Sequence, residues 1–239
     1  MIGELETLSV MGLPIHWGTH YEDWLLSRHR EGLGTHVVTL NAEMAMQADQ
    51  NPELKQILCN ADLAIPDGAG IVLYFRAKGK HLKRCPGIEL AESLLETLSP
   101  EQSVFFLGAA PGVAEQAAQN WQQRRPTLNI AGVQNGYFTA ADEPALQEIL
   151  TRLQPTVILV ALGVPRQEFW IAQQRSLCPQ TIWIGVGGSF DIWAGIKERA
   201  PAWLGDNHLE WLYRLYKEPW RWRRMLALPQ FAVRALTYE

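Results

Sequence analysis

The chain has 239 residues, of which 47% are hydrophobic, and its 21 Lys and Arg against 25 Asp and Glu give a formal net charge of −4. This length predicts one large domain, or one domain with an appendage, built around a substantial core. The acidic balance argues against a general nucleic-acid binder. Three scattered Cys without a CxxC pair favour a reducing cytoplasm and argue against a thiolate zinc site. No apolar run is long enough to predict a membrane span, and the acidic N-terminus does not resemble a secretion signal.

β-rich runs that end near Gly, Pro, Asn or Asp alternate with helical stretches along most of the chain. The runs are 36–43, 63–68, 104–112, 129–138, 156–168 and 181–191. The helical stretches are 42–59, 88–98, 112–124, 143–153 and 166–177. Nearly continuous apolar strands alternating with helices predict an α/β fold with a mostly parallel sheet and helices on both faces. Ligands of such sheets bind at the carboxyl ends of the strands, where the polar motifs of this chain fall.

Two glycine-rich strand ends are candidates for binding a phosphorylated ligand. In the first, small residues would let backbone N–H groups approach phosphate oxygens at a helix start, and its candidate residues are Gly108, Ala109, Ala110 and Gly112. The second, 185–191, offers Gly187 for close approach and Asp191 as an acceptor for ribose hydroxyls or a base edge. Tyr137 could pack on a nucleobase. The alternatives are a tight strand-to-helix turn at 107–112 and ordinary loop roles for Tyr137 and Asp191.

Polar residues at three other strand ends are candidates for acid–base chemistry and sugar binding. Asp67 follows a short apolar strand and could act as a general base on a hydroxyl group, or could be a turn residue that caps the next helix. Thr39 and Asn41 should share one face of their strand and could bind sugar hydroxyls, although Asn41 could equally be a helix N-cap. Gln167 could hydrogen-bond a sugar or phosphate, while its neighbour Glu168 would complement the helix dipole.

Metal-dependent and hydrolytic sites have weak support in the sequence. His16 and His20 are four residues apart but lack an HExxH pattern or a carboxylate partner. A DxD motif, a GxSxG nucleophile turn and a GxxxxGK[ST] loop are all missing. The sequence therefore predicts no metal site and argues against hydrolases and P-loop NTPases.

The C-terminal region combines Trp with Arg far more densely than the rest of the chain. Between Trp211 and Arg234 lie five Arg, one Lys and one Glu, a local charge of +5. Helices are expected at about 207–217 and 219–235, with Pro219 in a first turn and Pro229 kinking or dividing the second. One broad helical face would carry three arginines able to clamp a diphosphate or bind anionic headgroups: Arg214, Arg221 and Arg224. Side chains suited to an anionic lipid–water interface are Trp220, Trp222 and Arg223. The alternative is a solvated helix face.

In order along the chain, these segments resemble the bacterial WecG/TagA/CpsF glycosyltransferases over roughly residues 35–225. The matching pieces are TLNAEM (39–44), DLAIPDGAGI (62–71), RCPGIEL (84–90), VFFLGAAPG (104–112), GYF (136–138), LGVPRQEFWI (162–171), IGVGGSFD (184–191), AGIKERAPAWL (194–204) and LEWLYRLYKEP (209–219). The first 33 residues and the chain beyond Ala227 match the family only loosely.

The resemblance implies a Rossmann-like domain (1–195) followed by a C-terminal helical appendage (196–239) that associates with membranes. It implies inverting, metal-independent transfer of an N-acetylmannosamine-type sugar from a UDP donor to N-acetylglucosaminyl-diphospho-undecaprenol, with no cofactor. Asp67 would be the general base, and Arg214, Arg221 and Arg224 would neutralise the leaving diphosphate. Thr39, Asn41 and Gln167 would surround the donor sugar and acceptor, and the Gly108–Gly112 loop, Tyr137 and Asp191 would surround UDP.

Other substrates and roles stay open at this point. A relative using UDP-N-acetylmannosaminuronic acid would need an extra cation near the sugar, for which Arg84 and Arg166 are candidates. A non-catalytic nucleotide-binding module tethered to the membrane would keep the glycine loops without needing Asp67. We expect a peripheral protein on the cytoplasmic face of the bacterial plasma membrane that acts in polysaccharide or teichoic-acid-type assembly. Apolar surface on the appendage predicts a homodimer or homotrimer in solution.

Overall fold

The computed structural model describes residues 5–201, 203–204 and 209–238, and the side chain of Arg221 lies outside that description. The strands of this part are β1 (Glu6–Val10), β2 (Leu13–Trp17), β3 (Thr35–Leu40), β4 (Leu63–Pro66), β5 (Ser103–Gly108), β6 (Asn129–Gln134), β7 (Val157–Ala161) and β8 (Ile182–Gly185). The helices are α1 (Tyr21–Arg30), α2 (Ala42–Gln50), α3 (Pro52–Cys59), α4 (Ala69–Ala77), α5 (Gly87–Thr97), α6 (Val113–Arg124), α7 (Glu143–Leu153), α8 (Arg166–Gln174), α9 (Ser189–Trp193), α10 (Glu210–Lys217), α11 (Trp222–Met225) and α12 (Ala227–Leu236). Short 3₁₀ turns at Arg175–Leu177 and Pro219–Arg221 follow α8 and α10.

The centre of the molecule is a parallel sheet with the strand order β4-β3-β8-β7-β5-β6. Each of the six β-rich runs forms one of its strands. One face packs against α1, α5, α6 and α9, and the other against α2, α3, α4, α7 and α8. Because both faces are covered, almost every residue of β3, β7 and β8 is buried, which explains the uninterrupted apolar runs. The predicted α/β fold is confirmed.

An N-terminal hairpin, to which the sequence analysis assigned no structure, lies beside the edge strand β4. Its strands β1 and β2 are antiparallel, and Val10 pairs with Leu13 across a two-residue turn. The turn residues Met11 and Gly12 have φ of 52° and 73°, the signs that suit the twist of a tight hairpin. His16 on β2 accepts a hydrogen bond at Nδ1 from the Ala64 N–H at 2.8 Å. The hairpin therefore satisfies a backbone donor that the edge strand would otherwise leave open.

The single helix predicted over 42–59 is wrong, because the structure divides this stretch into α2 and α3. Asn51 ends α2 and caps α3, where its side chain accepts a hydrogen bond from the Leu54 N–H at 3.1 Å. Pro52 occupies the first turn of α3, where its missing N–H costs nothing. The Asn-Pro pair was a readable signal for a helix start.

The C-terminal region ends in a helix that packs on the main body. The second helix predicted there is divided: a 3₁₀ turn begins at Pro219, α11 is a single turn, and Pro229 lies in the first turn of α12. Phe231 and Ala235 of α12 are buried in the core cluster that includes α2 and α4. Arg234 Nε adds an ion pair with Asp49 Oδ2 of α2 at 2.8 Å. The first predicted helix corresponds to α10, and its expected start at 207 lies outside the described residues.

The division at 195/196 between a catalytic domain and a C-terminal appendage stays a prediction. Burial of Phe231, which is 1% exposed, makes the end of that segment a contributor to the domain core. Within the described part of the chain, no helix is long and apolar enough to cross a membrane.

Candidate active site

The strand order places a topological switch point at the carboxyl edge of the sheet, between β5 and β7. The chain leaves β5 toward β6 at one edge and leaves β7 toward β8 in the opposite direction, the topology at which α/β proteins bind ligands. Gly108 ends β5 with φ of 124°, and a Cβ there would lie 2.4 Å from the Ala161 carbonyl oxygen of β7. Only glycine fits this close approach.

The loop that follows β5 has the backbone geometry expected of a ligand-binding turn. Ala109 has φ of 58°, and its N–H donates to Ala161 O at 2.8 Å while its carbonyl accepts from Gly136 N at 2.8 Å. Ala110 is exposed, and Gly112, the N-cap residue of α6, has φ of 83° and open space where a Cβ would stand. The four predicted residues of this loop thus lie together at a helix N-terminus, where N–H groups favour an anion.

Asp67 lies at the carboxyl edge directly after β4, beside the end of β3. Its N–H donates to Leu40 O at 3.0 Å, and its Oδ1 accepts from the Gly87 N–H at 3.0 Å. Burial raises the pKa of Asp67, against the opposing effects of the Gly87 N–H and of nearby Arg214. The adjacent thiol of Cys85 is no competitor as a base, since burial raises its pKa to about 12. A carboxylate with a raised pKa at this edge is a candidate general base.

A cluster of three charged side chains borders Asp67, and sequence reasoning found only part of it. Glu210, at the start of α10, is 7% exposed and pairs through Oε2 with Arg84 Nη1 at 3.0 Å. Its other oxygen pairs with Arg214, one turn further along α10. Burial alone would raise the pKa of Glu210, but Arg214 and Arg84 outweigh it and hold that pKa below its usual range. The four-residue spacing of Glu210 and Arg214 signals a helical ion pair, whereas the contact with Arg84 has no local signal.

Gln167 belongs to a buried polar network rather than to an open surface. Its Nε2 donates to Glu168 Oε1 at 3.0 Å, and its Oε1 accepts from the Gly187 N–H at 3.3 Å. Glu168 Oε2 lies 3.1 Å from His36 Nε2, and both side chains are almost fully buried. The sequence predicted only an interaction of Glu168 with the helix dipole, and its pairing with His36 was missed. The network fixes the loop after β8, including Gly187, whose φ of 52° suits a glycine.

Thr39 and Asn41 lie at the end of β3 with their side chains already engaged. Thr39 Oγ1 donates to Gly185 O at 3.1 Å, which ties β3 to the end of β8. Asn41 Oδ1 accepts from the Met44 N–H at 3.0 Å, the N-cap geometry offered as its alternative role. A Cβ on Gly68 would lie 2.8 Å from Asn41 Cβ, so Asn41 also borders the loop that carries Asp67.

The remaining predicted ligand contacts follow other strands of the sheet. Tyr137 is 73% exposed after β6, where a stacking role is sterically open. Asp191 Oδ2 in α9 pairs with Lys197 Nζ at 2.8 Å. The Arg166 guanidinium stacks on Phe138 with its Cζ 5.3 Å from the ring centroid, so the structure gives it a different neighbourhood from that of Arg84.

The C-terminal cations do not converge on one carboxylate. Arg214 pairs with Glu210, whereas Arg224 makes two hydrogen bonds to Glu43 of α2 at 2.8 and 2.9 Å. The side chain of Arg221 lies outside the described residues. Trp220 and Trp222 are 71% and 53% exposed, and Arg223 stacks on the Trp222 ring. Among the C-terminal arginines whose side chains are described, Arg214 acts electrostatically on Asp67, as does Arg84 from another part of the chain.

Potential metal ligands of the described residues converge at His20, Glu22 and Asp23, at the start of α1. His20 and Asp23 are exposed, and no charged residue of the Asp67 cluster belongs to this group. His16 is not in it, and its Nδ1 accepts a hydrogen bond from the Ala64 N–H.

Comparison with known proteins places the chain in a family. Residues 8–239 match the profile of the "Glycosyl transferase WecG/TagA/CpsF family". An N-acetylglucosaminyldiphosphoundecaprenol N-acetyl-beta-D-mannosaminyltransferase of Bacillus spizizenii is 38% identical over 223 residues, which cover 92% of this chain and 85% of the relative. A protein of the same name from Bacillus subtilis is 33% identical over 224 residues, covering 92% and 87%. The chain belongs to the WecG/TagA/CpsF family of glycosyltransferases.

Proposed function

We propose that this enzyme transfers an N-acetylmannosamine-type sugar from a UDP donor to the hydroxyl group of N-acetylglucosaminyl-diphospho-undecaprenol, with inversion and without a metal. The observation that carries the proposal is Asp67, a carboxylate with a raised pKa at the carboxyl edge, beside Arg84 and Arg214. The names of the two Bacillus relatives supply the sugar and the acceptor. The product would feed assembly of a cell-surface polysaccharide or a teichoic-acid-type polymer.

The proposed reaction is a single displacement at the anomeric carbon. Asp67 accepts the proton of the acceptor hydroxyl, whose oxygen forms the new bond to C1 while the bond from C1 to the UDP oxygen breaks. The electron pair of that bond leaves with UDP, so positive charge is needed near the diphosphate. Arg214, which acts on Asp67, would supply it in place of a metal ion. Arg221 and Arg224 would assist it, and for Arg224 this requires release from Glu43. The Gly108–Gly112 loop would hold UDP at the start of α6, with Tyr137 and Asp191 nearby.

The names of the two Bacillus relatives favour the uncharged donor sugar over the uronate. Of the two candidate cations for a carboxylated donor, Arg166 stacks on Phe138 and Arg84 pairs with Glu210. Gln167, Thr39 and Asn41 would act on the sugar and acceptor chiefly by shaping the pocket, since their side chains are hydrogen-bonded within the protein.

We propose further that the enzyme works as a peripheral protein on the inner face of the plasma membrane. Exposed Trp220 and Trp222, with Arg223, suit the interface of an anionic bilayer because the rings are apolar and the guanidinium pairs with headgroups. A homodimer or homotrimer would cover part of this apolar surface in solution.

The direct test is UDP release with a synthetic GlcNAc-diphospho-lipid acceptor and three donors: UDP-ManNAc, UDP-GlcNAc and the uronate, each with and without EDTA. Acceptor-dependent turnover with UDP-ManNAc that survives EDTA is expected. Turnover with another donor would reassign the sugar, and loss in EDTA would refute metal independence. Asp67→Asn is the matched control, because a non-catalytic nucleotide-binding module would not depend on that carboxylate.

A further inference from the structure

Glu210 is a buried carboxylate that the proposed reaction does not use. It lies at the first residue of α10 and bridges two arginines from distant parts of the chain, Arg84 before α5 and Arg214 within α10. Burying a carboxylate is costly unless charged partners compensate it, and here each carboxylate oxygen has its own guanidinium. This arrangement calls for an explanation because both partners border Asp67.

We propose that Glu210 is a positioning residue, which docks α10 on the main domain and holds Arg84 and Arg214 beside Asp67. Two guanidinium groups at one site repel each other, and a bridging carboxylate lets them stay together. A guanidinium carries five N–H donors, so each arginine keeps donors for an anionic ligand after pairing with Glu210. The role of those donors in transfer rests on the proposed function, whereas the docking role does not.

The same geometry links the C-terminal region to the reacting group. Arg214 and Glu210 both belong to α10, and the exposed Trp220 and Trp222 follow in the next turns of the chain. The pairing of Glu210 with Arg84 ties α10 to the main domain. The position of α10 in turn decides whether its Arg214 lies near Asp67. A shift of about 1 Å in a charged group can reduce turnover about 100-fold, so a small loss of docking is enough to be measured.

The test compares the wild type with Glu210→Gln, which keeps the shape of the side chain and removes its charge. Glu198→Gln is the matched control, because Glu198 also pairs with a cation of α10, Lys217 at 2.9 Å, but is exposed. Two quantities are measured in the full chain: amide hydrogen exchange of α10 and β3 without substrate, and kcat for transfer.

We expect Glu210→Gln to speed exchange in α10, leave β3 unchanged and lower kcat at least about tenfold, and Glu198→Gln to stay within about twofold of wild type. Faster exchange in β3 as well would make Glu210 a general stability residue and overturn the proposal. Unchanged exchange in α10, or unchanged kcat despite faster exchange, would overturn it too. If the wild type itself turns over no donor, the proposed function fails, while the exchange data still decide whether Glu210 docks α10.

Discussion

Phe231 offers the sharpest test of whether the final helix belongs to the folded domain. The side chain is 1% exposed and packs beside Tyr74 of α4, with ring centroids 6.3 Å apart. It also lies close to Gly70, where a Cβ would meet Phe231 Cδ1 at 3.5 Å. The perturbation is Phe231→Ala, which empties this position without touching any residue of the candidate site.

The expected loss is about 3–5 kcal/mol in the free energy of unfolding, the range for truncating a fully buried Phe, because the transfer energy and a cavity term add. For a chain of this size each kcal/mol lowers Tm by about 2–4 °C, so the melting temperature should fall by roughly 6–20 °C. Val233→Ala is the control on the same helix, since Val233 is 66% exposed and its truncation should change the free energy by no more than about 0.5 kcal/mol.

The assay is urea unfolding followed by far-UV circular dichroism, with UDP binding measured in parallel. A single transition shifted to lower urea would mean that α12 unfolds together with the sheet. The reasoning is refuted if Phe231→Ala costs less than about 1 kcal/mol, or if a separate early transition leaves the main midpoint unchanged. Deleting residues 196–239 is a blunter experiment, because it would remove core side chains together with the cationic ones.

Four further predictions concern the site and the hairpin. Asp67→Asn should reduce transfer about 100- to 10,000-fold with UDP binding retained, and more than a tenth of wild-type turnover would contradict the base role. Because burial raises the Asp67 pKa and the deprotonated form is active, turnover should fall with decreasing pH well above the usual 3.9 of aspartate; a pH–rate profile flat down to about pH 4 would exclude this. Burial lowers the pKa of His16, so on acidification the unfolded chain binds a proton at His16 before the folded protein does. The free energy of unfolding should therefore decline as the pH falls below about 6.5. The variant His16→Asn should show a weaker decline. Gly185→Ala would put a Cβ 2.4 Å from Gln167 Nε2 and should lower the free energy of unfolding, measured with urea, by about 1–3 kcal/mol. A decrease below about 0.5 kcal/mol would show that the Gln167 side chain can move aside and would contradict the prediction.

The parallel sheet, and the edge of it that carries the candidate site, could both be predicted from the sequence. Strands such as Val157–Ala161 are covered on both faces of the sheet, so all of their residues must be apolar. A run of consecutive apolar residues is visible in the sequence. Strand ends are marked by residues such as Gly108 and Asp67, and parallel strands bring all their carboxyl ends to one edge. Local signals also existed for features that were missed, namely the Asn51–Pro52 helix start and the Met11–Gly12 turn.

The pairing of charged groups could not be predicted from the sequence, because it depends on how distant elements pack together. Arg84 and Glu210 are far apart in the chain, and no periodicity relates them, so their pairing depends on where α10 docks. The same holds for His36 and Glu168, which meet because β3 and α8 pack together. Phe231 follows a cationic stretch that predicts an appendage, yet its side chain is buried among residues of α2 and α4. Burial is a property of the assembled fold, and long-range contacts set it after local propensity has fixed the strands and helices.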